Sequence, residues 1–117
     1  MNAMKTGAQL SSSNLGSGNT HRVGGAAKFH AAGAYNASGS TVYLQLHDSA
    51  TTPTAGAVPS APPVKIESDS ATAFGTQFLD YGASGRPLVN GLAVVLSSTA
   101  ATYTAVAGDF IIDVTYS

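Results

Sequence analysis

His47 and Asp48 stand side by side at the end of the clearest alternating run in the chain, and His21 and His30 lie upstream of them. These are the residue types that bind metals and move protons. Their spacing points to neither. No HxH or HxxxH pair is present and there is no cysteine, whereas a tetrahedral metal site needs several converging ligands. His30 and His47 are expected as surface residues on outward strand faces. The carboxylates Asp48, Glu67, Asp69, Asp80, Asp109 and Asp113 are few and mostly lie near turns. Glycoside hydrolysis needs two of them across a cleft, and nothing marks such a pair. Aspartates at strand ends more often accept local backbone N–H bonds. The segment GASGR (82–86) lacks the G-x-S-x-G nucleophile elbow. The glycines of 16–25 match no dinucleotide or phosphate-loop pattern. No catalytic residue, metal ligand or cofactor site is therefore assigned, and the chain is expected not to be an enzyme. Asn36-Ala37-Ser38 matches a glycosylation acceptor; without a secretory leader the match reads as chance.

Composition narrows the classes further. The 117 residues fit one domain. Charged residues are 9% of the chain, against the usual ~25% of soluble domains. Gly, Ala, Ser and Thr fill the difference. Small neutral side chains are covered by neighbours at little desolvation cost, so this surface reads as that of an assembly subunit. Five basic residues are scattered along the chain, which leaves no footprint for a nucleic-acid backbone. The first residues, MNAMKTGAQLSSSNLGSGNTH, hold no apolar core of a secretory leader. No apolar run is long enough for a transmembrane helix.

The elements that must position any site are β-strands. Val42, Leu44 and Leu46 alternate with Thr41, Tyr43, Gln45 and His47, which predicts a half-buried strand over Ser40–Asp48. Further strands are expected over Ala26–Tyr35, Val64–Ser68, Ala71–Tyr81 (with a bulge at Gly75), Thr102–Val106 and Asp109–Tyr116. In the last of these Phe110, Ile112, Val114 and Tyr116 face inward. Ser49–Pro63 is rich in Pro and Gly and reads as a long surface loop. Residues 1–20 show no period and read as an extended arm, floppy or ordered only against a partner; extended, it spans roughly 60 Å. The segment GRPLVNGLAVVLSS (85–98) carries an Asn-Gly pair, the strongest short hairpin signal. Pro87 and the shortness of Leu88-Val89 argue against a hairpin arm. Residues 85–90 are expected as a surface turn, and Leu92–Ser97 as a central strand covered on both faces. The expectation is an all-β chain. It would be an antiparallel, jelly-roll-like β-sandwich of about seven strands over 21–117, behind the flexible N-terminal arm.

Three pieces, STVYLQLHDSATTPTAGAVPSAPPVKI, FGTQFLDYGASGRPLVNGLAVVLSSTAATYT and the closing DFIIDVTY, together resemble a group of small virion proteins of tailed bacteriophages. That group shares a strand of the vYLQLfD kind, a Pro/Ala-rich loop, and a later glycine turn leading into an apolar strand. The resemblance covers Tyr35 to Tyr116. It implies a β-sandwich virion component without enzyme activity, made in the host cytoplasm and resident in the particle. The role expected first is capsid decoration or cement, with the major capsid protein or another virion protein as partner and a homo-oligomer, the trimer foremost. No nucleic acid, membrane or cofactor is implied. A tail or head-tail accessory protein is the neighbouring alternative. A carbohydrate-binding adhesion module using Tyr43 and the 49–63 loop is the more distant one. The residues expected at protein contacts are Leu10 and Leu15 in the arm, His21 and Arg22 at its end, Tyr43 on the outward strand face and Arg86 in the turn.

Overall fold

The computed structural model describes residues 8–13, 20–36, 39–67, 77–82, 84–106 and 110–117; for 8–13, 20–23, 77–80 and 110–113 the description is of backbone course and pairing. The elements are β1 (Ala8–Ser13), β2 (Thr20–Gly24), β3 (Ala27–Asn36), β4 (Val42–His47), β5 (Val64–Ile66), β6 (Gln77–Asp80), β7 (Arg86–Leu88), β8 (Gly91–Ser97) and β9 (Phe110–Tyr116). All are strands and every pairing is antiparallel. One sheet runs β1-β9-β3-β6, with β7 also on β3; the other runs β2-β8-β4-β5. The two sheets share one core. Phe29, Ala32, Ala34, Leu88 and Val114 come from the first, and Val42, Leu44, Leu46, Ile66, Leu92, Val94 and Leu96 from the second.

β8 lies between β2 and β4 and is buried at every residue. A mostly apolar run without polar alternation belongs in such a place, because neither face meets water. Asn90 precedes it and Gly91 opens it, and the pair joins β7 to β8, which lie in different sheets. It is the corner between the sheets rather than a hairpin tip. The expected turn over 85–90 is shorter than the sequence suggests, since Arg86–Leu88 forms β7 on the edge of β3. Pro87 fits there because an edge strand leaves one side without ladder bonds.

Other expectations change. Within the stretch read as an arm, residues 8–13 pair with β9 of their own chain, Leu10 opposite Val114. A neutral segment without alternation still completes a ladder, because the ladder is made by backbone groups. Thr102–Val106 is no strand; its one β-bridge joins Ala105 to Ser97. Of the strand expected over 71–81, Gln77–Asp80 is described and pairs with β3, and 71–76, with Gly75, lie outside the described residues. β3 carries a bulge: the register to β9 shifts between Phe29 and Ala31, which leaves His30 as the extra residue.

Candidate functional site

The polar groups that could do chemistry gather at one end of β4. Gln45 and His47 were expected on an outward, wet face. Both are buried, Gln45 at 0% and His47 at 3% exposure. The cover is the irregular segment 98–106, which folds back over the outer face of β4. Gln45 Nε2 donates to the carbonyl oxygens of Thr99 (2.9 Å), Ala100 (3.1 Å) and Thr102 (3.0 Å). Three carbonyls around one atom fix the amide orientation, because only the NH₂ end can face them. Oε1 must then face His47, and His47 Nε2–H donates to it at 2.9 Å. Tyr103 closes the set with its ring edge-on to His47, centroids 6.2 Å apart. Burial pushes the His47 imidazole below its ordinary value, so it stays neutral here. The segment is folded on itself by Ser97, whose hydroxyl accepts from Thr99 N and Thr104 N and donates to the Thr102 carbonyl.

Asp48, one residue on, works on the corner before β8. Its Oδ1 accepts from Asn90 N (2.8 Å) and Gly91 N (3.3 Å), and its Oδ2 from Val89 N (3.1 Å). Desolvation works against the charge. The three N–H donors and the nearby Arg86 outweigh it and hold the carboxyl below its ordinary range. Arg86 lies with its guanidinium 5.6 Å from the Tyr81 ring centroid and donates to the Ser60 carbonyl. Ser60 is the common node. Its N donates to Leu46 O, its hydroxyl accepts from Asp48 N, and its carbonyl takes Arg86. The 49–63 loop is pinned at a second point by the reciprocal backbone bonds Tyr103 N to Ala57 O and Gly56 N to Tyr103 O.

Between these anchors lies an open cleft of about 270 Å³, lined by His47, Asp48, Ser60, Pro53, Val58 and neighbouring hydroxyls of the 49–54 stretch. Its chemistry is weak. Asp48 is committed to the corner, the Ser60 hydroxyl to Asp48 N, and His47 to Gln45. None of the three pairs as a nucleophile and base. Among the described residues no three His, Asp or Glu side chains converge.

His30 departs from the expected surface position: it is 2% exposed, its Nδ1–H donates to Gly82 O at 2.9 Å, and its Nε2 lies 2.9 Å from Ser117 Oγ. Gly85 is forced by this ring. It sits at φ +74°, and a Cβ there would meet His30 at 3.0 Å. Asn36, the apparent glycosylation acceptor, is fully buried and donates to Ser40 O and, across to the other sheet, to Ile66 O.

Those of the expected contact residues that are described lie on four different strands. Arg86 is half-buried in the Ser60 node, and Tyr43 is half-buried on β4 opposite Lys65 and Ser97. Leu10, His21 and Arg22 are placed by backbone on β1 and β2, and Leu15 lies outside the described residues. Sequence reasoning missed the roles of Gln45 and Ser60, and marked Asn36 only as a glycosylation match. A long amide inside an apolar strand was the one available signal, for Gln45.

No protein family and no curated protein matches the sequence. Among solved structures, the coat protein of Tobacco streak virus aligns over 92% of this chain and 85% of its own, at 9% identity and a TM-score of 0.37.

Proposed function

We propose that the chain is a structural, non-enzymatic virion protein with a jelly-roll β-sandwich, acting as a decoration or cement protein on the head of a tailed phage. The observation that carries this reading is the strand order. β4 pairs β5, β3 pairs β6, β2 pairs β8 and β1 pairs β9, each pair nested inside the next. The β9–β3 and β8–β4 ladders then join these pairs into two sheets. A long antiparallel ribbon folded across itself has this pattern, and eight strands so arranged make the double Greek key used by viral capsid and lectin domains. Fold alone does not name a function. The low charge and the small-residue surface favour the capsid use, as does the resemblance over Tyr35–Tyr116. The polar groups around β4 hold loops rather than face a substrate.

The mechanism is mass action. A protein that binds the assembled lattice and not its dissociated subunits stabilises the lattice by its binding free energy. The sugar-binding alternative has one observation in its favour, the hydroxyl-lined cleft on the 49–63 loop. Among the described residues no Phe, Tyr or Trp lines that cleft to stack on a sugar.

Electron microscopy of particles with and without the protein tests the reading. Density on the head, and capsids that rupture at lower temperature without it, are expected. Density on the tail moves the role to a tail or head-tail accessory, and absence from the particle removes it. Light scattering of the free protein is expected to give an oligomer, a trimer first.

A further inference from the structure

The chain holds a single Asn-Gly pair, Asn90-Gly91, and Asn90 is exposed on the corner between the sheets. Asn-Gly is chemically labile because glycine puts no side chain in the way of its own nitrogen. When the Gly nitrogen loses its proton and attacks the Asn side-chain carbonyl carbon, the C–N bond to the side-chain NH₂ breaks. Ammonia leaves and a succinimide ring forms. Water then opens the ring at either carbonyl, leaving aspartate or isoaspartate.

In this fold the attacking nitrogen is held. Gly91 N–H points to Asp48 Oδ1 at 3.3 Å, and Asn90 N–H points to the same oxygen at 2.8 Å. On the far side the Asn90 carbonyl accepts from Gly25 N at 3.2 Å. The peptide units before and after Asn90 are therefore both held, and any rotation between them works against these bonds. The carboxylate adds a second barrier: an amide anion forming beside it meets a like charge.

We propose that Asn90-Gly91 is a site of spontaneous deamidation and that Asp48 is the group that restrains it. Conversion would place a second carboxylate in the turn that Asp48 already occupies. Two carboxylates in one turn oppose each other, so the Val89–Gly91 clamp would open and the corner between the sheets would loosen. The site then records the history of the chain: closed while the clamp holds, and altered for good once it has been open long enough.

The test incubates the purified full chain at mildly alkaline pH in three forms: native, unfolded in urea, and Asp48→Ala. Peptide mapping by mass spectrometry follows residue 90, and isoaspartate is counted by enzymatic methylation. The native chain is expected to convert many-fold more slowly than the unfolded one, with Asp48→Ala approaching the unfolded rate. Equal rates for native and unfolded chain, or for folded Asp48→Ala and native, overturn the proposal. Should Asp48→Ala fail to fold, amide hydrogen exchange on the unaltered protein decides. Protection at Gly91 N–H supports the clamp, and exchange as fast as in an open turn overturns it.

Discussion

His47 Nε2 stands 2.9 Å from Gln45 Oε1, and the proton between them belongs to the histidine. The assignment follows from the three carbonyls that hold the other end of the glutamine. It makes residues 98–106, which form no strand, as much a part of the fold as the strands beneath them.

Stability should fall with acid in the window this histidine sets. Burial holds its folded value below the ordinary 6.5. Between the folded value and 6.5 the unfolded chain binds the extra proton, so stability is full above 6.5 and declines as pH falls below it. Thermal melts from pH 7.5 to 5 should show the decline, and a His47→Gln variant should show less of it. Equal slopes for the two proteins would contradict the assignment.

Gln45→Leu keeps the bulk of the residue and removes its donors. The Thr99 and Ala100 carbonyls lose this donor and His47 Nε2 loses its acceptor, while the Thr102 carbonyl keeps the Ser97 and Thr99 hydroxyls. A single buried polar group left unpaired costs roughly 1–3 kcal/mol, and a loss of about 3 kcal/mol is expected here in urea unfolding. A loss under about 0.5 kcal/mol would mean that the segment is held by something other than Gln45.

Asp48→Asn should cost about 1 kcal/mol, since a partly exposed carboxylate gains less from its donors than a buried one. Its acid limb is the sharper signature. The folded carboxyl lies below its ordinary 3.8, so its contribution is present above 3.8 and lost as pH falls through the folded value. Chemical unfolding between pH 5 and 2 should show that this part of the acid loss is missing from the variant.

Gly85→Ala should destabilise although it adds only a methyl group. The backbone there is left-handed, and the new Cβ lands 3.0 Å from the His30 ring. A cost of about 1–3 kcal/mol is expected from the conformation alone. Val58 and Val89, 73% and 76% exposed, give the contrast. Changing either to serine should alter stability by less than about 0.5 kcal/mol.

What could be read beforehand was whatever lies within one strand. The faces of β4 and the two-sided burial of β8 follow from alternation and its absence, and both inner rows, Val42-Leu44-Leu46 and Leu92-Val94-Leu96, are in the core. What depends on distant chain could not be read. Gln45 looks like a surface residue until Thr102, 57 residues later, lies over it. His30 likewise waits for Gly82 and Ser117. β1 has no pattern of its own, because its partner is the opposite end of the chain. At the candidate site the sequence marked Asp48 and Arg86 but not Ser60, the residue that joins them.

The nesting of the pairs bears on how the chain reaches this state. The β4/β5 hairpin closes across the 48–63 loop, whereas β1 and β9 meet only when Ala8 finds Tyr116. Closing a longer loop costs more entropy, and sheets dominated by such distant contacts assemble slowly, in milliseconds to seconds. The route of least loss zips from the middle outward, each ladder shortening the loop the next must close. Opening runs the other way, and β1/β9, the outermost pair, is the first to part.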